Sequence, residues 1–234
     1  MKLEQFVAGL QKIYGANLSS VVLYGSAAGP DFQQKYSDYN LLVILRDLDP
    51  RELARSARLC QKWMGWRRKN PPPVFVDQEY LQNSRDVFPI EFLDMKETHQ
   101  ILRGEDPFLE MNVSKEHLRL QCESELKGKI LALREAILRA HPSRRRIQTL
   151  ILRSSSSLFA VFRGFLRLLG EPVPPTKREV LTKLNAKTHL DTAIFEKILN
   201  VREGKQKLKR SQVLDWMAEY LTTLKKIARV ADSL

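Results

Sequence analysis

The spacing of apolar residues differs between the two halves of the chain. In the first half, short apolar runs lie between turn residues, a pattern typical of strands. Four such runs are predicted to be strands: residues 20–26, 40–45, 73–77 and 88–95. Helical spacing predicts an opening helix over residues 2–14, and Pro50 begins a second helical stretch between the second and third strands. The first half is therefore predicted to be a mixed α/β structure.

After Asn112 the pattern becomes helical. Apolar residues recur every three or four positions, Ser114 is suited to cap the first long helix, and His141-Pro142 is suited to end it. Residues 113–234 contain no strand-like run, so they are predicted to form an all-helical bundle. The predicted fold class is thus α/β (α+β): a small mixed sheet with flanking helices in residues 1–112, then the bundle in residues 113–234.

Composition places the chain among ordinary globular proteins. It has 234 residues, of which 43% are hydrophobic and 28% charged, enough to bury a substantial core. Cys60 and Cys122 follow no disulfide or zinc spacing, and no apolar run approaches the roughly 20 residues of a membrane span. The amphipathic N-terminus also lacks the features of a signal peptide. We therefore expect a cytoplasmic protein without a membrane partner.

Positive charge is concentrated in the second half. The formal net charge is +12; residues 1–112 carry 14 Lys and Arg against 15 Asp and Glu, whereas residues 113–234 carry 25 against 12. A basic half of this kind favours an anionic partner, such as a nucleotide, a nucleic acid or an acidic protein. Solvated helix faces rich in Lys and Arg are the alternative explanation.

Two polar motifs bracket the loop between the first two predicted strands. Gly25-Ser26 ends the first strand; a glycine followed by a hydroxyl can hold phosphate oxygens, although a plain turn is the commoner explanation for such a pair. Asp38-Tyr39-Asn40 opens the second strand, where residues two apart point to the same face. Asp38 and Asn40 can therefore present two oxygen ligands to Mg²⁺, whose coordination substrate phosphates usually complete.

A third acidic residue lies in the fourth predicted strand. Glu91 interrupts the apolar run FPIEFLDM, where a carboxylate is costly unless it is paired or coordinates a metal. If this strand lies beside that of Asp38, Glu91 supplies the remaining carboxylate, either as a metal ligand or as the general base for an acceptor hydroxyl. Asp94 is the competing residue, and strand alternation would place it on the opposite face.

Together these motifs resemble a known family. YGSAAGPDFQQKYSDYNLLVIL, followed by PIEFLD, is similar to the DNA polymerase β-type nucleotidyltransferase superfamily, above all to its aminoglycoside adenylyltransferase-like and minimal nucleotidyltransferase branches. The resemblance implies that Gly25 and Ser26 hold the nucleotide phosphates. It also implies that Asp38 and Asn40 occupy metal-binding positions and that Glu91 is the third carboxylate. The implied cofactor is Mg²⁺, and the implied donor is a nucleoside triphosphate, with ATP as the first candidate.

The resemblance extends more loosely to the helical half. Several related enzymes carry a C-terminal bundle that closes over the nucleotide and its acceptor, and some of these bundles are related to the higher eukaryote and prokaryote nucleotide-binding (HEPN) domains. By this resemblance Lys127 and Lys129, in the first bundle helix, are candidate nucleotide contacts. An exposed basic helix face is the alternative explanation for both lysines.

Asn40 departs from the family pattern, which has an acidic residue at this position. Its amide oxygen can still coordinate Mg²⁺, but without the negative charge the metal affinity should fall. Two functions stay open. The chain is either a nucleotidyltransferase, weakened by Asn40, that acts on the hydroxyl of an unknown acceptor, or a degenerate, antitoxin-like module that binds a nucleotide, an RNA or a partner without catalysis. The basic second half argues against a polycationic aminoglycoside acceptor.

Overall fold

The computed structural model of the chain describes residues 1–29, 39–65 and 70–234, apart from the side chain of Ser26. It divides into two compact units, Met1–Val113 and Ser114–Leu234. The first combines a sheet with helices, and the second is built from helices. This arrangement of a mixed sheet with flanking helices and a helical second part confirms the predicted fold class.

Among the described residues, a four-stranded sheet forms the centre of the first unit. Its strands are β1 (Leu18–Tyr24), β2 (Asn40–Leu45), β3 (Val74–Asp77) and β4 (His99–Gly104). They lie in the order β3-β2-β1-β4, and β1 is antiparallel to both of its neighbours, whereas β2 and β3 are parallel. The first three strands confirm three of the predicted runs.

Helices cover both faces of this sheet: α1 (Leu3–Tyr14), α2 (Pro50–Met64), α3 (Gln78–Asn83) and α4 (Pro89–Glu97). The face toward α1 and α2 has a buried core that includes Phe6, Leu10, Val21, Val43 and Trp63. The face toward α3 and α4 has a core that includes Val22, Leu42, Ile44, Leu81 and Phe92. The even-numbered residues of β2 therefore point toward α4, and this alternation decides which way Asn40 points.

The prediction of a strand over residues 88–95 is wrong, because these residues form the start of α4. Pro89 occupies the first helical turn, where its missing N–H leaves no intrahelical bond unmade. Ile90 and Phe92 are buried, but so short an apolar run fits a helix as well as a strand. The fourth strand is β4, where Ile101 and Leu102 are the apolar side chains. It lies at the sheet edge, so most of its residues remain polar.

The described residues of the second unit form α5 (Lys115–Ala140), α6 (Arg144–Leu168), α7 (Lys177–Thr188), α8 (Ala193–Arg202) and α9 (Val213–Asp232). Ser114 caps α5, since its hydroxyl accepts a hydrogen bond from the backbone N–H of His117 at 3.1 Å. The helix ends immediately before His141-Pro142, as the sequence predicts.

A row of aromatic rings runs through the core of this second unit. The centre of the Phe162 ring lies 5.6 Å from that of Phe159 and 4.9 Å from that of Phe195, and Phe195 lies 5.5 Å from Tyr220. Each pair is edge-to-face, the favourable geometry for aromatic rings. The hydroxyls of Tyr220 and Ser154 are 3.0 Å apart and share a hydrogen bond. These contacts tie α6, α8 and α9 into one core.

Cys60 is half-buried and Cys122 is buried, and neither forms a disulfide. Burial raises the pKa of the Cys60 thiol above its ordinary value. No helix within the described ranges is both long enough and apolar enough to cross a bilayer.

Candidate functional site

The candidate site lies at one end of the sheet, where β1 ends and its two neighbours, β2 and β4, begin. Tyr24 of β1 is paired with Asn40 of β2 on one side and with His99 of β4 on the other. Tyr39 contacts Trp63 on the face toward α2, so Asn40, the next residue, points to the opposite face. The register therefore places a phenol, a carboxamide and an imidazole in one row, on the face covered by α4.

Asn40 packs against the backbone of Gly25. Gly25 has a φ of +75°, and a methyl group added at its Cα would lie 3.2 Å from Nδ2 of Asn40. The position therefore favours glycine for two reasons: other residues are strained at this φ, and a side chain would press on the carboxamide. The structure thus brings together one residue from each of the two motifs that flank the loop.

The backbone N–H of Gly25 does not face a ligand, because it donates a hydrogen bond to the carbonyl oxygen of Thr98 at 3.2 Å. Gly25 instead begins a single 3₁₀ turn, Gly25–Ala28, which is called the glycine turn below. The first N–H groups of any helical turn have no acceptor within that turn. Phosphate binding at this place would therefore depend on the N–H groups that follow Gly25.

His99, the first residue of β4, follows directly after Thr98, whose carbonyl oxygen accepts this bond. Its Nε2 lies 3.3 Å from Oδ2 of Asp106, and its Nδ1 lies 3.2 Å from the carbonyl oxygen of Lys96. Its ring also packs edge-on against Phe108, with 5.0 Å between ring centres. Both polar neighbours carry hydrogen-bond acceptors, so a ring N–H that faces either of them has a partner. We infer that His99 positions the start of β4 beside the glycine turn.

The predicted metal-binding motif is described only in part. Asp38 lies outside the described residues, as does the side chain of Ser26, so their roles stay predictions. Asn40 is described, and its amide oxygen is a ligand type that Mg²⁺ accepts. Within the described ranges, no three His, Cys, Asp or Glu side chains come together as a metal site. The binding of Mg²⁺ by Asp38 and Asn40 therefore stays a prediction.

Glu91 is an exposed residue in the first turn of α4, not a buried residue on a strand. The burial cost that singled it out in the sequence therefore does not apply, and a carboxylate in a first helical turn also interacts favourably with the helix dipole. Phe92 and Met95 of α4 pack on the sheet face toward which Asn40 points, so Glu91 and Asn40 lie on the same side of the sheet. Asp94 follows three residues later, on the same helix face as Glu91.

Lys127 and Lys129 both contact other side chains of the second unit. Lys127 pairs with Glu123 and, at 2.9 Å, with Oδ1 of Asp232, and hydrogen bonds to these two carboxylates raise the pKa of Lys127. Lys129 donates to Oγ of Ser157 at 2.7 Å. These contacts account for both lysines within the helical structure, and their role as nucleotide contacts stays a prediction.

The structure also reveals a cationic cluster that the sequence did not single out. Lys177 begins α7, and its Nζ lies 5.3 Å from the centre of the Phe159 ring. Partial burial lowers the pKa of Lys177, and the positive charges of Arg202 and Arg163 lower it further. Crowded cations of this kind would be stabilised by a polyanion. The three cations come from separate helices, so no sequence spacing could have indicated the cluster.

Comparison with known proteins bears on the fold. No protein-family model matches the chain, and no characterised protein matches it in sequence. A similar solved structure is that of spectinomycin adenyltransferase from Enterococcus faecialis, determined with ATP and spectinomycin. The TM-score is 0.55 at 13% sequence identity, and the match covers 94% of this chain and 97% of that one. Similarity at this level of identity establishes the fold alone, and the chain therefore has a nucleotidyltransferase-type fold.

Proposed function

We propose that the chain is a metal-dependent nucleotidyltransferase, which transfers a nucleoside monophosphate from a nucleoside triphosphate to a hydroxyl group. The observation that carries the proposal is the packing of Asn40 against Gly25 at the strand ends, within a nucleotidyltransferase-type fold. This contact joins a turn suited to phosphate and a motif suited to Mg²⁺ at one place. The triphosphate would bind there.

Three groups of the chain have roles in this reaction. The acceptor oxygen attacks the α-phosphorus, and the bond from that phosphorus to the bridging oxygen breaks, so that pyrophosphate leaves. The Ser26 hydroxyl and the N–H groups after Gly25 hold phosphate oxygens. The carboxylate of Glu91 takes the proton of the acceptor hydroxyl as general base. Asp38 and Asn40 would hold Mg²⁺, which when bound offsets phosphate charge.

The donor and the acceptor are constrained to different degrees. ATP is the first donor to test, because the similar adenyltransferase structure contains ATP. Spectinomycin is a ligand of that protein, whereas this chain carries a formal net charge of +12. That charge would repel a polycationic acceptor. We infer a neutral or anionic acceptor that carries a hydroxyl group.

A second candidate function is recognition without catalysis. Asn40 supplies no negative charge where the family pattern has a carboxylate, and the cluster around Lys177 offers a place for a polyanion. A degenerate nucleotidyltransferase would use these features to bind a nucleotide or an RNA. Its affinity for an RNA oligonucleotide should then fall steeply with salt and weaken in Lys177→Met. Lys187→Met is the matched control, because Lys187 lies on the same helix but pairs with Glu171.

Calorimetric titration of ATP, GTP, CTP and UTP, first with Mg²⁺ and then with EDTA, tests the enzyme directly. We expect binding that requires Mg²⁺ and is about tenfold tighter in Asn40→Asp, because a carboxylate restores the missing charge. An ATP-dependent transfer found by an acceptor screen should be lost in Glu91→Gln while ATP binding persists. The enzyme hypothesis fails if no nucleotide binds to either the parent chain or Asn40→Asp, or if Glu91→Gln transfers at the parent rate.

A further inference from the structure

A groove between α5 and α9 has an apolar floor and basic walls. These two helices pack against each other, and the groove along their contact encloses about 370 Å³. It is lined by Ile130, Leu131 and Arg134 of α5 and by Lys225, Ala228 and Arg229 of α9, among others. The groove lies entirely within the second unit and shares no residue with the glycine turn of the first.

The apolar side of the groove continues along α5 beyond the groove itself. Leu131 is 58% exposed, and Leu138, seven residues later, is 79% exposed. Seven residues make almost two helical turns, so both leucines lie on one face of α5. Large apolar side chains aligned on an exposed helix face, with charged residues beside them, are typical of a protein-binding surface.

The charge of the groove is strongly one-sided. Lys127 and Asp232 form an ion pair at 2.9 Å and neutralise each other. Among the residues that the structure describes, no ion pair joins Arg134, Lys225 or Arg229 to a carboxylate. The groove therefore presents three uncompensated positive charges around exposed leucine. A partner that carries acidic residues beside apolar ones would complement both features.

We propose that this groove binds an acidic amphipathic helix of a partner protein. Such a helix would place apolar residues at i, i+4 and i+7 on Leu131, Ile130 and Leu138, and Asp or Glu beside the three cations. A second copy of this chain is a poorer occupant, because the second unit carries an excess of positive charge. A nucleic acid is also a poorer occupant, because its phosphates would contact the cations while the exposed leucines would contribute nothing to its binding. The proposal does not depend on catalysis at the glycine turn.

Fluorescence anisotropy with the full chain tests the groove. The probe is a labelled synthetic helical peptide with Leu at i, i+4 and i+7 and flanking Glu, and its control carries Lys in place of Glu. We expect the acidic peptide to bind and the basic one not to bind. Leu131→Ser and Arg229→Glu should each weaken the acidic peptide about tenfold or more, in the manner of interface hot spots. Leu109→Ser is the matched control, because Leu109 is 76% exposed but belongs to the first unit and does not line the groove.

Each other outcome overturns the proposal. If the acidic peptide binds the parent chain, Leu131→Ser and Arg229→Glu with equal affinity, its binding site lies elsewhere. If the acidic peptide does not bind at all, an acidic amphipathic helix is not the partner. Sedimentation that shows a dimer which Leu131→Ser dissociates would assign the groove to a second copy. An RNA oligonucleotide whose affinity falls in Arg229→Glu but not in Leu131→Ser would make the surface a nucleic-acid site. Because Leu131 is more than half exposed, its replacement should leave the circular dichroism unchanged.

Discussion

Replacing Gly25 with alanine tests the packing on which the candidate site depends. Alanine at a φ of +75° is forced into the left-handed region, which costs about 1–2 kcal/mol. Its methyl group would also lie 3.2 Å from Nδ2 of Asn40, so the carboxamide must move. A side chain pushed away from its preferred rotamer costs about 0.5–1.5 kcal/mol. The change should therefore destabilise the first unit by about 2–3 kcal/mol.

Gly65→Ala is the matched control in the same unit. Gly65 has a φ of +69°, and nothing lies within 4 Å of the position that its added methyl group would take. The ψ of Gly65 is 166°, so this variant places alanine at a positive φ without the contact with Asn40. In Gly25→Ala the contact should add about 1 kcal/mol to the loss of unfolding free energy, which corresponds to about 4 °C in Tm for a unit of this size.

Urea unfolding followed by tryptophan fluorescence measures this difference, since Trp63 is buried in the first unit. Titration with ATP gives a second readout. A displaced Asn40 should weaken ATP binding about tenfold in Gly25→Ala, because a shift in the position of a ligand-binding group is costly, whereas Gly65→Ala should bind as the parent does. Equal unfolding free energies for the two variants, with ATP binding unchanged in both, would refute the reasoning.

Two further predictions concern buried aromatic residues. Tyr220→Phe should lower the free energy of unfolding by about 1 kcal/mol, because it removes the hydrogen bond with Ser154. Burial raises the pKa of Tyr220 above its ordinary value of 10.0, so above pH 10 the unfolded chain releases a proton that the folded chain keeps. The folded state should therefore lose stability as the pH rises above 10. Thermal melts at increasing pH should show a smaller loss in Tyr220→Phe than in the parent chain. Phe92→Ala should cost about 3–5 kcal/mol in urea unfolding, because Phe92 is buried between α4 and the sheet. The exposed Val87→Ala should change little, and equally small effects in both variants would contradict the packing of α4.

The sequence predicts most of the fold because its strongest patterns agree with the tertiary structure. The runs that became β1 and β2 are buried on both faces of the sheet, and the helical spacing after Asn112 extends over many turns. The strand prediction for residues 88–95 was wrong because an eight-residue apolar run has no clear period, and because Pro89 suits the first turn of a helix. The true fourth strand escaped notice because an edge strand needs few apolar residues.

The candidate site was less predictable than the fold. The sequence could place Gly25 beside Asn40 because Gly25 follows the end of one strand, Asn40 begins the next, and these two strands are neighbours in the sheet. Glu91 was chosen for a burial that it does not have, since the chemical argument rested on the wrong secondary structure. His99 and Lys177 owe their surroundings to contacts between elements distant in sequence, which no spacing along the chain reveals.

The row of rings from Phe159 to Tyr220 bears on how the second unit is assembled during synthesis. α8 has 10 residues, fewer than the roughly 12–15 that an isolated helix needs to be stable in water. Its folding therefore depends on the rings that α6 and α9 place against Phe195. Tyr220 is the last of these rings to be translated, so α8 should acquire its final packing only after α9 has emerged from the ribosome. Until then, Phe195 and its neighbours would be exposed to chaperones and proteases.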